Sequence, residues 1–450
     1  MNILVIGCGK VGLSLVKQLV IDGHKVTVID NNKDKLRSSL SNLDVMAITG
    51  DGASSTTLKA AGVESADVLV AVMKSDEMNL LACVIAQKVS SCTTIARVRN
   101  PIYNNEVPFL KKELGIDLIF NPELTAAEEI ARIFNFPYAS RIDIFSNRRV
   151  EMVHFHIKFD SLLSRLPVCD IRSKHHRDIL VCTVIRGDRT IIPDGNFVLE
   201  EGDQVGIVGT RKEIDEFFRA FGGGSKKVPD VMMVGGGKVG YFLAKRLIEN
   251  GIRVKIVENN LSRCDFLASE LPEATVIHGD GTDKNLLLEE GLSQASGFTA
   301  LTGIDEENIL LSLFASDKAK KTVTKISRIN FDEVVNRLNL DTLVNPNMLS
   351  SEILVQYIRS AECTKGSGME SYRKLGENSE EALEFIVKEG SKVVGIPLMN
   401  MKRKDGTLVC SIMRNDKIII PSGQDSIQVG DRVVIVHDGN DIKDIDDILK

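Results

Sequence analysis

Ile3-Leu4-Val5-Ile6-Gly7-Cys8-Gly9-Lys10-Val11-Gly12 stands at the start of the chain and decides how the rest is read. Four apolar residues in a row suit a strand buried on both faces, and the G-x-G-x-x-G spacing turns such a strand tightly into a helix. Val11, Leu15 and Leu19 follow at helical spacing. The next apolar run, Val26-Thr27-Val28-Ile29, is closed by Asp30, 18 residues after the last glycine. Strand, glycine loop, helix, strand and terminal acid in this order form a dinucleotide fingerprint with physical content. The first two glycines let the backbone approach a pyrophosphate, the third lets helix and strand pack closely, and the helix N-terminus turns free N–H groups toward the anion. Asp30 would accept both ribose hydroxyls. Its charge disfavours a 2′-phosphate, so NAD or an adenine nucleotide fits better than NADP.

The stretch returns as Gly235-Gly236-Gly237-Lys238-Val239-Gly240 at an offset of 228, and the acid returns as Glu258. Gly50-Asp51-Gly52 recurs as Gly279-Asp280-Gly281 at 229, and Asp76-Glu77 with Asn79 recurs as Asp305-Glu306 with Asn308, also at 229. Asn121-Pro122 recurs as Asn345-Pro346 at 224, and Ile192-Pro193 with Gly202-Asp203 as Ile420-Pro421 with Gly430-Asp431 at 228. Near-constant spacing from the start of each half to its end means that a whole half was duplicated. Further apolar runs at 45–48, 68–72 and 94–98 predict a parallel sheet covered on both faces by helices. From about 138 to 221 the pattern changes to strands with tight polar turns, as at 204–208, and the same change recurs at 384–388, 406–413 and 432–436. The expected fold is α/β: two tandem Rossmann-like parallel-sheet domains, each followed by a small α+β C-terminal module. The expected bounds are 1–136 and 137–221, a glycine-rich linker at 222–229, then 230–360 and 370–450.

With 450 residues the chain exceeds one core, and 56 Lys and Arg against 62 Asp and Glu leave a net charge of −6, which argues against a nucleic-acid backbone binder. No apolar stretch is long enough to span a membrane, and the N-terminus lacks a leader pattern, so a cytosolic chain is expected. Eight cysteines without a C-x-x-C pair suggest buried thiols rather than zinc or disulfides. His154 and His156 share one strand face and are expected to face solvent opposite Phe155. No metal ligands and no catalytic residues are assigned, because no G-x-S-x-G elbow, H-E-x-x-H or Walker loop is present. The rival reading is an NAD-dependent oxidoreductase with a small-molecule substrate, which would need a substrate domain with a placed acid or base. Lys10 and Lys238 lie within the loops, while Arg97 and Lys325 lie at strand ends, where phosphate is held in open α/β sheets. The helix after Asn121-Pro122 carries Leu124, Ala127, Ile130 and Ala131 on one apolar face and is expected to be a dimer crossover.

Gly7 to Gly12 with Asp30, Gly50-Asp51, the run 66–72 followed by Ser75-Asp76-Glu77, and Ile95-Ala96-Arg97 together resemble the nucleotide-binding half of an RCK (KTN) domain. The stretches ending in Gly202-Asp203 and Gly430-Asp431 resemble its C-terminal companion. Two such pairs in one chain are similar to the cytosolic regulatory subunits of Trk-type potassium-uptake systems. That resemblance implies a non-enzymatic regulator with NAD(H) and ATP or ADP as ligands. It also implies a homo-oligomeric ring, peripheral at the cytoplasmic face of the plasma membrane through a multi-span potassium-conducting subunit. Carried over by position, the first site comprises Gly7, Cys8, Gly9, Lys10, Val11, Gly12, Asp30, Met73, Lys74 and Arg97. The second comprises Gly235, Gly236, Gly237, Lys238, Val239, Gly240, Glu258, Thr302, Gly303 and Lys325. The resemblance also places Glu123 near phosphates or a divalent ion, where the second half has Asn347.

Overall fold

In the computed structural model the opening apolar run is β1 (Asn2–Ile6), a central strand of a six-stranded parallel sheet. The structure describes residues 1–104, 106–145, 150–157, 161–175, 179–187, 189–221, 228–327, 338, 340–363, 368–375, 380–415, 417–439 and 442–450; positions 222–227 of the expected linker lie outside these. β1 is joined by β2 (Lys25–Asp30), β3 (Met46–Thr49), β4 (Val68–Ala71), β5 (Thr93–Arg97) and β6 (Leu118–Phe120), in the spatial order β3-β2-β1-β4-β5-β6. Ile6 lies beside Ile29 on one side and Ala71 on the other. The order reverses between β1 and β4, and an open α/β sheet takes its ligand beyond the carboxyl ends at that point.

The uninterrupted apolar strands are explained by two cores. Ile3, Val5, Val68 and Val70 face one buried cluster, and Leu4, Ile6, Leu69 and Ala71 face another on the opposite side of the sheet. The chain then forms an antiparallel sheet from β7 (Arg141–Phe145), β8 (Val150–His156), β9 (Leu180–Arg186), β10 (Arg189–Ile191) and β11 (Gln204–Gly209), ordered β10-β9-β11-β8-β7. The second half repeats the parallel sheet as β12 (Asp230–Val234), β13 (Arg253–Glu258), β14 (Thr275–His278), β15 (Gly297–Ala300), β16 (Lys321–Lys325) and β17 (Leu343–Val344). It repeats the antiparallel one as β18 (Met369–Lys374), β19 (Glu381–Ile386), β20 (Thr407–Arg414), β21 (Lys417–Ile419) and β22 (Arg432–His437). Their orders, β14-β13-β12-β15-β16-β17 and β18-β19-β22-β20-β21, match those of the first half.

Like pairs with like. The two parallel sheets belong to one unit, Met1–Ala131 with Val228–Ile358, and the two antiparallel sheets to another, Arg132–Lys227 with Arg359–Lys450. In the first unit the closing helices tie the halves together. The helix Pro346–Cys363 of the second half places Leu354, Val355 and Ile358 in the same buried cluster as Ile3, Leu15 and Val28 of the first. Reciprocally, the helix Pro122–Asn135 buries Ala127, Ile130 and Ala131, and its Glu128 reaches Arg246 of the second half at 3.1 Å. The helix expected to cross between copies thus makes an ion pair with the other half of its own chain.

In the second unit Phe145, Val150, Met152, Cys182 and Val208 meet Ala382, Cys410, Val434 and Val436 of the other sheet. This packing corrects the expectation for His154. Its strand face, shared with Val150 and Met152, is covered by the second sheet rather than by water, and His154 is buried with Nε2 3.0 Å from Asp143 Oδ2. Arg141 pairs with the same carboxylate at 3.0 Å. His156, two residues on, is exposed. Of the described cysteines, Cys169 is exposed and the others are buried.

Candidate functional site

Each glycine loop ends on a bare helix N-terminus. The helices Lys10–Ile21 and Lys238–Glu249 begin after Gly9 and Gly237 with no side-chain cap and no acid in the first turn. The helices Lys33–Leu40, Asp76–Val89 and Leu261–Glu270 are capped by Asn32, Ser75 and Asn260. Uncapped N–H groups and the positive end of the helix dipole together make an anion site. Gly7 has φ +104°, and a β-carbon on it would come 2.9 Å from Val72 O, so neither the conformation nor the space admits a side chain. A β-carbon on Gly9 or Gly237 meets no protein atom within 4 Å, so the loop is open on the side where a ligand backbone would approach.

The acid that closes β2 is held by the loop it serves. Asp30 accepts the Cys8 N–H at 2.7 Å and the Asn32 N–H at 2.9 Å, and Lys35 Nζ lies 3.1 Å from it. Partial burial alone would raise its carboxyl, but these N–H groups and Lys35 outweigh burial and hold it below the ordinary carboxylate value. Glu258 repeats the backbone contacts, accepting from Gly236 at 2.7 Å and Asn260 at 2.9 Å. Both acids are thereby fixed at the edge of their loops.

Across the crevice, one buried amide per half organises the strand ends. Asn79 accepts from Met73 N at 2.7 Å and donates to Met73 O and Arg97 O; Asn308 does the same for Thr302 N at 2.8 Å, Thr302 O and Lys325 O. Arg97 donates to Met73 O, while its buried Nε has no partner. Burial, then the neighbouring charge of Arg99, pulls its guanidinium down to about 10. Lys325 donates to Leu301 O at 3.0 Å and Thr302 O at 2.6 Å, and its ammonium is likewise lowered, first by burial. Asp305 and Glu123 oppose that shift and Lys10 adds to it, so a cation and a carboxylate of the first half lie close to the strand end of the second.

These groups surround one cavity of about 910 Å³ within the first unit. Of the site residues read from the sequence, Gly7, Gly9, Lys10, Val11, Asp30, Met73, Lys74 and Arg97 line it from the first half, and Gly237, Lys238, Val239 and Lys325 from the second. Cys8 is buried behind the loop and contributes its N–H to Asp30. Gly12 and Gly240 lie beneath their loops, where a β-carbon would strike Gly7 O and Gly235 O. Gly235, Gly236, Glu258, Thr302 and Gly303 do not line this cavity. Lys35 and Arg99 do, although neither stood out in the sequence. Arg99 lies 3.9 Å from Asp76 and 3.7 Å from Glu123, whose Oε2 is buried without a partner. Among the lining residues seven cationic side chains oppose three carboxylates, and no His, Cys or Tyr is present. The unpartnered Arg97 Nε, the bare helix ends and the carboxylate at the loop edge are groups of the kind an adenine nucleotide needs.

The TrkA-N domain family matches residues 3–122 and 231–346, and the TrkA-C domain family matches 152–222 and 382–450. Over the full length of both chains the sequence is 31% identical to Trk system potassium uptake protein TrkA homolog 2 of Methanosarcina mazei. It is 29% identical to Trk system potassium uptake protein TrkA of Haemophilus influenzae, over 100% of this chain and 99% of that one. The solved GsuK RCK domain superposes with a TM-score of 0.64 at 17% identity, over 97% of this chain and 92% of that chain. The GsuK channel bound to NAD superposes with a TM-score of 0.64 at 16% identity, over 97% and 76%. Among the described residues no helix is long and apolar enough to cross a membrane.

Proposed function

Because the chain belongs to the TrkA family, with both TrkA-N segments built around glycine loops, we propose that it is a nucleotide-binding regulatory subunit of a Trk-type potassium-uptake system. The ligands are NAD(H) and ATP or ADP. The chain acts as a homo-oligomeric ring on the cytoplasmic face of a multi-span potassium-conducting subunit and is not itself an enzyme. The observation that carries this reading is a cation-rich cavity into which both halves present a loop lysine and a strand-end cation.

The residues divide the work. Loop N–H groups of the first half take the pyrophosphate, Asp30 takes the ribose hydroxyls, and Lys10, Arg97 and Arg99 offset phosphate charge. Lys238 and Lys325 reach the same cavity from the second half, so a ligand with a longer phosphate chain contacts both halves and one with fewer phosphates contacts fewer groups. A ligand shifts a conformational equilibrium only by the difference in its affinity for the two states, and contacts split between two lobes supply such a difference.

The test is potassium flux through a co-purified membrane subunit in vesicles, with and without this chain, at fixed NAD and then at fixed ATP. Flux should depend on the chain and differ between the two nucleotides. Unaltered flux, or steady turnover of NADH by the purified chain, would overturn the reading.

A further inference from the structure

The two ribose acids occupy equivalent places, yet their surroundings differ. In the first half Lys35 Nζ stands 3.1 Å from Asp30 Oδ2, the same oxygen that accepts the Cys8 N–H. The residue 228 positions on is Arg263, which lies close enough to Glu258 for the carboxylate to act on its charge but bonds to the loop backbone. Its Nε donates to Gly236 O at 2.7 Å and its Nη2 to Gly237 O at 3.2 Å, while the guanidinium carbon lies 4.5 Å from the centre of the Phe266 ring. Glu258 keeps the same two backbone N–H contacts as Asp30.

We propose that Arg263 is a positioning residue that holds the second glycine loop ready for an adenosine diphosphate group and leaves Glu258 open to the ribose, whereas the Lys35–Asp30 pair must open before the first site can bind. This rests on the nucleotide-binding reading above and adds which site fills first, and why. A guanidinium is a planar fork that can bridge two adjacent carbonyls; an ammonium is a point charge that settles on the nearest carboxylate. With Gly236 O and Gly237 O engaged, the loop is tied to the first turn of the helix Leu261–Glu270 and its conformation is set before a ligand arrives. Ordering done before binding is not charged against affinity, so the second site is the stronger one for ligands that carry adenosine diphosphate.

The test uses the full chain and ADP-ribose, followed by titration calorimetry. The second site is read in an Asp30→Ala background and the first in a Glu258→Ala background. Arg263→Lys should weaken the second site about tenfold, the worth of a charge-assisted hydrogen bond. Lys35→Arg should tighten the first site roughly twofold to fivefold, the worth of releasing a half-exposed ion pair. A merely structural role for these side chains would not produce that gain, and the gain remains readable if Arg263→Lys folds poorly. Unchanged affinity in either swap, or a first site weakened by Lys35→Arg, overturns the assignment. No uptake of ADP-ribose by the unsubstituted chain overturns both this proposal and the nucleotide reading beneath it; uptake with no effect of the swaps overturns this proposal alone.

Discussion

At the scale of single residues the strongest commitments are carboxylates in contact with cations. Asp30→Ala removes the group proposed to accept the ribose hydroxyls, and should weaken adenine-nucleotide binding at the first site about tenfold or more by calorimetry, since hydrogen bonds to a charged group contribute about 1.5–3 kcal/mol each. Asp143 makes a different prediction. Burial would raise its carboxyl, but Arg141, His154 and Arg373 together hold it well below the ordinary carboxylate value. A carboxyl depressed in the folded state contributes stability that is present above its unfolded pKa and lost as pH falls toward its folded one. The thermal midpoint should therefore drop below about pH 4, where an unfolded Asp gains its proton. Asp143→Asn should flatten that drop while also destabilising the chain at neutral pH, because it takes the carboxylate from Arg141 and from the buried His154 ring. An unchanged acid slope in melting curves would contradict the assignment. Asp30 was legible because a fixed spacing from the glycines announces it; the Asp143–His154 pair was not. Period two places His154 on a strand face, but which face is wet depends on a second sheet more than two hundred positions away in the chain.

Whole elements show the same divide. The parallel strands and the glycine turns could be read because each depends on local pattern: apolar runs, a turn that only glycine can make, and an acid at the next strand end. The apolar face of the helix after Asn121-Pro122 was also legible, but its partner was not, since periodicity reports that a face is buried and not against what. The structure assigns the corresponding helix of the second half to the core of the first, through Leu354, Val355 and Ile358. Burying each such side chain contributes about 1.5–3 kcal/mol. Leu354→Ala should therefore destabilise the chain by about 2–5 kcal/mol, the usual cost of a large-to-small change in a core. Its location is the sharper test. Hydrogen exchange followed by mass spectrometry should show protection lost in β1 and β2, more than three hundred residues earlier in the sequence, as well as in the helix itself. Loss confined to β12–β17 would mean that the helix closes its own half.

For the molecule as a whole, the consequence of that exchange is that two glycine loops face one space. Lys238, at the start of a second-half helix, lines the cavity that holds Asp30 and Arg97. Lys10 and Glu123 in turn act on the charge of Lys325. Duplication was plain from the 228-residue offset, but an offset cannot say whether two copies work apart or share a cavity. If they share it, a charge removed from one half must be felt by a ligand seated on the other. Lys238→Ala, read at the first site in a Glu258→Ala background, should weaken ATP by about tenfold while leaving NAD nearly unaffected, because only the longer phosphate chain extends to the far lysine. ATP affinity should also fall more steeply with added salt than NAD affinity does, and Lys238→Ala should reduce that slope, since screening acts on the excess of cations around the cavity. Equal losses for both nucleotides would instead mark Lys238 as a support of the fold. A loss specific to ATP makes the terminal phosphate the link between the halves, and gives a cell's ATP-to-NAD balance a physical means of setting the separation of the two lobes.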